Sequence, residues 1–438
     1  MTARQVELWI RQEVGGRLLS RTVTVVWVLA YVWRRLLRRT KFVAITGSLG
    51  KTTAKEYVAA GLATRFPTFR SRGNQNSGVW LAVNVLRVRP WHRYAVLEVA
   101  AGMPGRMVEA ARLVRPDVAV VLSVARTHTT AYPSLAAHAA EKACLLGALP
   151  LGGLAVLNAD DERVAAMRPP AGCAVTWIGT VATADVRAHA VGAAWPERLS
   201  LRAEADGQAV TTRTQLVGRH WTPVVLAALA VARHAGVPWD LAAAALSSVE
   251  PLPGRLQPVR LPGGATVLRD DYNAAVDTLD AALRVITDAA GARRILMVTD
   301  FSDFGKNRKH RVRHLAGMAA AAADVAVFVG ERAAYGRRRA IEAGLSPAQV
   351  HEFPTIQAAT GFLRGELRAG DLMLLKGRTT DHATRIFHAL LGPIRCWKPN
   401  CRRRILCDGC WELGAPHPIA LGAVVVSAPS VTARGGSA

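Results

Sequence analysis

The apolar positions of this chain fall into short, uninterrupted runs separated by amphipathic stretches. Phe42–Ile45, Tyr94–Leu97, Asp117–Val124 and Leu154–Leu157 read as buried strands, because continuous apolar runs of this length suit a sheet covered on both faces. Between them lie helical patterns: one through Glu56, Tyr57 and Val58, one after Gly105, and Ala136–Leu149. This alternation predicts a doubly wound α/β domain with its ligand at the carboxyl ends of the strands. Val186–Leu216 reads instead as a β-rich meander, followed by helices over Trp221–Ala235 and Trp239–Val249. After a linker, Pro251–Gly254, alternation resumes. Helices are expected over Asp277–Ala289 and His310–Ala323, and strands over Ile295–Val298, Val325–Val329 and Asp371–Leu375, giving a second, smaller Rossmann-like α/β domain.

The first strand runs straight into chemistry. Phe42–Thr53 reads FVAITGSLGKTT: a strand, a glycine turn, Lys-Thr, then a helix. Gly47 and Gly50 let backbone N–H groups face an anion, with Ser48 between them. Lys51 meets the outer phosphates, Thr52 or Thr53 offers a hydroxyl to Mg²⁺, and the helix N-terminus adds its dipole. Position 45 is Ile where the eight-residue version of this loop has Gly; the shorter Gly-x-x-Gly-Lys-Thr is intact. Glu98 closes the next strand, where a Mg²⁺ ligand would stand one layer from a phosphate loop; a cap or salt bridge is the plainer alternative.

The 438 residues suffice for about two to three domains. A net charge of +24 and a pI near 11.0 favour anionic partners without selecting among nucleotide, phosphorylated substrate, membrane and nucleic acid. Six cysteines, four of them clustered near the C-terminus, do not form a secreted disulfide framework and point to a reducing cytoplasm. Those four, Cys396, Cys401, Cys407 and Cys410, have the spacing C-x4-C-x5-C-x2-C. Structural Zn²⁺ is the leading expectation, with an iron–sulfur cluster or free thiols as alternatives.

Ahead of the phosphate loop, Val23–Trp33 is apolar and carries Trp27, Tyr31 and Trp33, with Arg21 on one side and Arg34, Arg35, Arg38 and Arg39 on the other. The run is short of the roughly 20 residues a span requires. It suits either an interfacial anchor on the inner, anionic leaflet or a helix packed on the core with a basic outer face.

In chain order the motifs resemble those of the Mur ligases, ATP-dependent amide-bond ligases, and within them the branch that adds D-alanyl-D-alanine to a UDP-muramoyl tripeptide. The matching pieces are Gly47-x-x-Gly50-Lys51-Thr52-Thr53 with Lys55-Glu56; Gly73-Asn74-x-Asn76; Leu97-Glu98; His128 with Ser134-Leu135; Lys142; and Asn158-Ala159-Asp160. Further along come Gly218-x-His220, Gly254-Arg255, Asp270-x-Tyr272-Asn273-Ala274, Asp300-x-x-Asp303-x-Gly305, and Asp371 to Lys376-Gly377. The resemblance covers about residues 42–392.

It implies ATP bound by Gly47–Thr53, with Asn74, His220, Arg255, Asp270, Tyr272 and Asn273 around the nucleotide. It implies Mg²⁺ held by Thr52, Glu98, His128 and Lys142, the last as a carbamate. It implies a carboxylate-bearing acceptor activated as an acyl phosphate and captured by an amine or amino acid, in cell-wall-related or specialised polymer synthesis. Two asparagines of the family's adenine loop are replaced by Trp221 and Val224, so the base stacks on Trp221 or the base preference differs. About forty residues stand before the loop where the family has a whole domain, which leads to the expectation of an acceptor presented another way, lipid-linked or carrier-bound.

The implied organisation is a basic, apolar segment (1–40), an ATP-binding domain (41–249), a C-terminal ligase domain (250–392), a Cys-rich module (393–413) and a disordered tail (414–438). The rival readings are a nucleic-acid-associated ATPase, disfavoured because no helicase-like motif is present, and a non-catalytic scaffold, against which the intact Lys51, Glu98, His128 and Lys142 argue.

Overall fold

The computed structural model describes residues 15–100, 102–125, 131–274, 276–299, 308–399, 401–403 and 405–414. The predicted tail, from residue 415, lies outside them, as do His128, Asp300 and Asp303.

The first domain is built on a sheet of nine strands in the order β2-β3-β1-β4-β5-β6-β7-β8-β9. At its centre β1 (Lys41–Thr46) lies parallel to β3 (Tyr94–Glu98) and β4 (Val118–Val121), so the loop after β1 opens at the sheet's carboxyl edge beside Glu98. β5 (Leu154–Asn158) and β6 (Ala174–Gly179) continue the parallel half; β7 (Val186–Gly192), β8 (Ser200–Ala205) and β9 (Gln208–Arg213) form the expected meander, with β7–β8 and β8–β9 antiparallel. One face carries Val43, Ile45, Val96 and Val120 under the helices Lys51–Ala63, Thr222–His234 and Trp239–Ser247. The other carries Phe42, Ala44, Leu97 and Val121 under Gly78–Arg87 and Arg106–Val114. Burial on both faces is why these strands read as unbroken apolar runs.

The second domain has a six-stranded sheet in the order β10 (Gln257–Arg260), β11 (Thr266–Asp270), β15 (Leu372–Lys376), β12 (Arg294–Val298), β13 (Val325–Val329), β14 (Val350–Phe353). β11 (Thr266–Asp270) pairs in parallel with β15 (Leu372–Lys376), which places Asp270 opposite Lys376 at the carboxyl edge.

Most element boundaries fall within two residues of the sequence reading; two differ by more. The strand expected over Asp117–Val124 spans only Val118–Val121. Asp117 is a cap, accepting from the Phe42 N–H at 2.9 Å and pairing with Lys41 at 3.0 Å. Beyond Leu122 the backbone leaves the sheet to hold the phosphate loop: Ser123 accepts the Ser48 N–H at 2.8 Å through its carbonyl and the Leu49 N–H at 3.1 Å through Oγ. The helix expected over Ala136–Leu149 spans Leu135–Ala143, capped by Ser134, and then tightens into a 3₁₀ turn, Leu146–Ala148, ahead of Pro150. The sequence reading lacks β6, β10 and β11, and also the short edge strands β2 (Thr68–Arg70) and β14 (Val350–Phe353), three and four residues long.

The N-terminal run forms the helix α1 (Gly15–Leu36). It packs on the domain through Ala30, with Leu37 buried just past its end and Val26, Trp27 and Trp33 partly buried against the same core. Trp33 donates to the Val88 carbonyl at 2.9 Å, and Arg34 to the Val114 and Arg115 carbonyls at 2.6 Å each. Arg34 therefore caps the neighbouring helix instead of facing outward, and burial lowers its pKa to about 10. The opposite face is apolar too: Val25, Val28, Leu29, Val32 and Leu36 are all more than half exposed. No helix among the described residues is long and apolar enough to cross a membrane.

Candidate active site

The turn after β1 needs its glycines for geometry. Gly50 sits at φ +79°, a left-handed position that L side chains rarely adopt, and a Cβ there would stand 3.1 Å from Val224. A Cβ on Gly47 would press on Leu122 and the Ser123 N–H at 3.1 and 3.2 Å. Ser48 locks the loop from below, its Oγ accepting the Ala125 N–H at 2.8 Å.

Lys51 folds over this loop, donating to the Gly47 and Ser48 carbonyls at 2.7 and 3.3 Å. Burial lowers its pKa; Glu98 opposes that shift and Arg255 adds to it. Between Thr52 and Thr53 the structure selects Thr52: its hydroxyl lines the cavity and donates to Glu98 Oε2 at 2.9 Å. Thr53 is buried behind it, with no hydrogen-bond partner for Oγ1 among the described residues. Glu98 is 2% exposed and takes a second bond from Asn76 Nδ2 at 2.7 Å. Asn74, the expected nucleotide contact, is exposed and lies outside the cavity wall; Asn76, two residues on in the same motif, is the side chain that reaches the carboxylate. The Gly73-Asn74-x-Asn76 spacing held both candidates, and only the fold separates them.

Lys142, on the helix Leu135–Ala143, is buried at 4% exposure. Burial, and then the charge of Lys51, lower its pKa to about 7, against a smaller upward pull from Glu141. Glu141 is occupied as a cap, accepting the Gly105 and Met107 N–H groups at 2.8 and 2.7 Å. Lys142 is thus a buried amine with a substantial uncharged fraction near neutrality, the form that can take up CO₂ as a carbamate.

The cavity over the loop, of about 180 Å³, is walled by both domains. From the first come Ser48, Gly50, Lys51, Thr52, Glu98, Asn158, His220 and Trp221; from the second come Arg255, Asp270 and Asn273. Arg255 bridges the two, donating to Thr52 Oγ1 at 3.2 Å while its guanidinium lies 4.5 Å from the centre of the Tyr272 ring. Tyr272 itself stands behind Arg255, outside the cavity wall. Asp270 pairs with Lys376; burial raises the carboxyl's pKa and lowers the ammonium's. His220 lies 4.7 Å from Trp221, ring centre to ring centre, and burial beside Lys376 lowers its pKa to about 3, so it stays neutral.

The four C-terminal cysteines are free and, with His382, line a second small cavity on the C-terminal domain. Among the described residues no group of three or more His, Cys, Asp or Glu side chains is drawn together as a ready-made metal site.

A phosphate loop at the head of a parallel sheet, a carboxylate on the next strand and a second α/β domain contributing an arginine and an aspartate define a two-domain nucleotide-binding α/β protein. The Mur ligase middle domain matches residues 45–232, and the Mur ligase glutamate ligase domain matches residues 254–379. The chain belongs to the Mur ligase family. It is 31% identical over 275 residues to the UDP-N-acetylmuramoyl-tripeptide–D-alanyl-D-alanine ligase of Escherichia coli, covering 62% of this chain and 60% of that protein. The enzyme of that name from Mycobacterium bovis is 29% identical over 374 residues, 81% of this chain and 73% of that one. The chain thus spans about three fifths of the length of the Escherichia coli relative. Its fold matches MurF from Acinetobacter baumannii with a TM-score of 0.76 at 23% identity, covering 84% of this chain and 80% of that one. It also matches the MurF ligase of Thermotoga maritima solved in complex with ADP, with a TM-score of 0.73 at 20% identity and 84% and 83% coverage.

Proposed function

We propose that this chain is an ATP-dependent, ADP-forming ligase that joins a substrate carboxylate to an amine or amino acid in cell-wall-related synthesis. The observation that carries the reading is the single cavity in which Lys51, Thr52 and Glu98 of one domain meet Arg255 and Asp270 of the other. Lys51 and the loop N–H groups hold the outer phosphates of ATP, and Arg255 reaches the same place from the second domain. Thr52 and Glu98 offer Mg²⁺ hard oxygens 2.9 Å apart; Lys142 lies outside the cavity wall but close enough to Lys51 to feel its charge, and as a carbamate would add two more. His128 would join them on the family pattern. Bound there, Mg²⁺ would neutralise charge on the transferring phosphoryl group. The acceptor carboxylate attacks the γ-phosphorus and ADP leaves; the neutral amine nitrogen then attacks the acyl carbon, gives up one proton, and phosphate leaves carrying the C–O bond's electron pair. Closure of the second domain keeps water from the acyl phosphate. The test is ADP release from the purified chain across a panel of carboxylate acceptors and amino acids, with mass spectrometry of products. Turnover should require both partners, and turnover stimulated by DNA or RNA alone would overturn the reading.

The same reading places the enzyme against an anionic membrane surface. The stripe Val25, Val28, Leu29, Val32 and Leu36 repeats at helical spacing on the side of α1 turned away from the core, and Arg38 and Arg39 are exposed at its end. A groove of about 680 Å³ is lined by Thr24 and Trp27 of α1 and by Ser77, Ala100 and Met103, and the Ala100 N–H donates to the Asn76 carbonyl at 3.0 Å. The groove offers a path for an acceptor held at the bilayer. Val28→Asp with Val32→Asp should reduce co-sedimentation with phosphatidylglycerol vesicles by about tenfold while leaving the cavity untouched. An unchanged bound fraction would remove the anchor from the account.

A further inference from the structure

The Cys-rich module makes a contact that the ligase reading does not use. Arg269 is fully buried on β11, immediately before the cavity residue Asp270. Its guanidinium donates to both carboxylate oxygens of Asp408, at 2.8 and 2.9 Å, and also to Asp271 and Gln257. Asp408 lies between Cys407 and Cys410 and accepts a further bond, from His388 at 3.2 Å. A planar, two-point pair of this kind fixes direction as well as distance. So the short loop joining two cysteines is bolted onto the strand end that presents Asp270.

What would hold that loop in place is less obvious. Few apolar side chains are buried in the module: Cys396, Cys407 and Leu413. The rest is secured at its margins, by the Arg395 N–H on the Leu413 carbonyl, by Arg385 on the Lys398 carbonyl and by Lys398 on Glu412. Inside, Cys396, Cys401, Cys407 and Cys410 share the wall of one small cavity with His382, whose ring contacts the Cys401 carbonyl at 3.2 Å and Cys407 Sγ at 3.4 Å. Four thiols around one cavity, in a segment too small to bury a core of its own, are what a structural zinc site provides.

We propose that Cys396, Cys401, Cys407 and Cys410 bind one Zn²⁺, and that the metal-closed loop uses Asp408 and Arg269 to fix the strand end carrying Asp270. The thiols give up their protons to solvent as the metal binds, and the side chains lining the cavity close in to bring the sulfurs to about 2.3 Å from it. No oxidant is involved. Asp408 is a positioning residue acting through Arg269. The effect on turnover rests on the ligase reading; the metal site does not.

The test begins with the full chain purified in reductant without chelator. About one zinc per chain is expected, lost in Cys407→Ser and Cys410→Ser. No metal with four freely reacting thiols, two disulfides, or iron in place of zinc would overturn the site. Asp408→Asn should retain the zinc, lower amide exchange protection over residues 266–272, and reduce kcat about tenfold with the KM for ATP unchanged. Unchanged protection and kcat would overturn the clamp. If the parent chain shows no ligase turnover, metal content and exchange still decide the proposal.

Discussion

Lys51→Ala is expected to lower ADP release by about 10³-fold, with the fold intact by circular dichroism. The ammonium lies over the loop carbonyls of Gly47 and Ser48, one residue from the Thr52–Glu98 contact. Arg255, from the other domain, reaches Thr52 rather than the loop carbonyls that Lys51 covers. The loss should therefore appear mainly in kcat, since the transferring phosphoryl group gathers charge as it moves and the ground-state nucleotide keeps its loop N–H contacts. A variant retaining more than a tenth of wild-type turnover would show that the loop does not hold the reacting phosphate.

Lys142 should give the second large effect, with an unusual pairing of signs. Lys142→Met is expected to lower kcat by about 10²-fold or more, and at the same time to raise the melting temperature by roughly 2–6 °C. The gain arises because the lysine is held buried with its pKa lowered to about 7. Its folded value lies below the unfolded one, so between about pH 7 and 10.5 the unfolded chain binds the extra proton and stability rises with pH; below about pH 7 the full cost of a buried ammonium is present. Methionine removes that cost. In the wild type, kcat should fall roughly tenfold per unit as pH drops below about 7, because the protonated amine cannot carry a carbamate. A flat profile from pH 5.5 to 8, or a variant both active and less stable, would return Lys142 to an ordinary structural role.

How these residues became visible differs from one to the next. The phosphate loop was legible outright, because strand, glycine turn, Lys-Thr and helix are one local device and each residue's type follows from its own task. Glu98 was legible from its place at the end of an apolar run. Asn76 was not separable from Asn74, since which of two nearby amides faces a carboxylate depends on how a glycine-rich turn folds, and Gly73 and Gly78 both adopt positive φ around it. Helix α1 carries apolar residues on two sides, so periodicity alone could not say which side packs; Trp27 and Trp33 took the core and the valine stripe stayed outside. Asp117 reads as the start of a strand but serves as its cap, because a carboxylate near Arg34 and Lys41 is better satisfied at the sheet's edge than within it. Least legible was Arg269–Asp408: the partners are 139 residues apart, and no local pattern links a strand arginine to an aspartate inside a cysteine knuckle.

The central claim is that the γ-phosphoryl group of ATP is transferred to a substrate carboxylate in the Lys51–Arg255 cavity. Once a productive acceptor is found, it can be labelled with ¹⁸O in its carboxylate and turned over with ATP and amine. The account predicts ADP, an amide, and inorganic phosphate carrying one ¹⁸O atom from the acceptor for each bond made. AMP with pyrophosphate, or phosphate whose added oxygen comes from water while the amide forms, would contradict it.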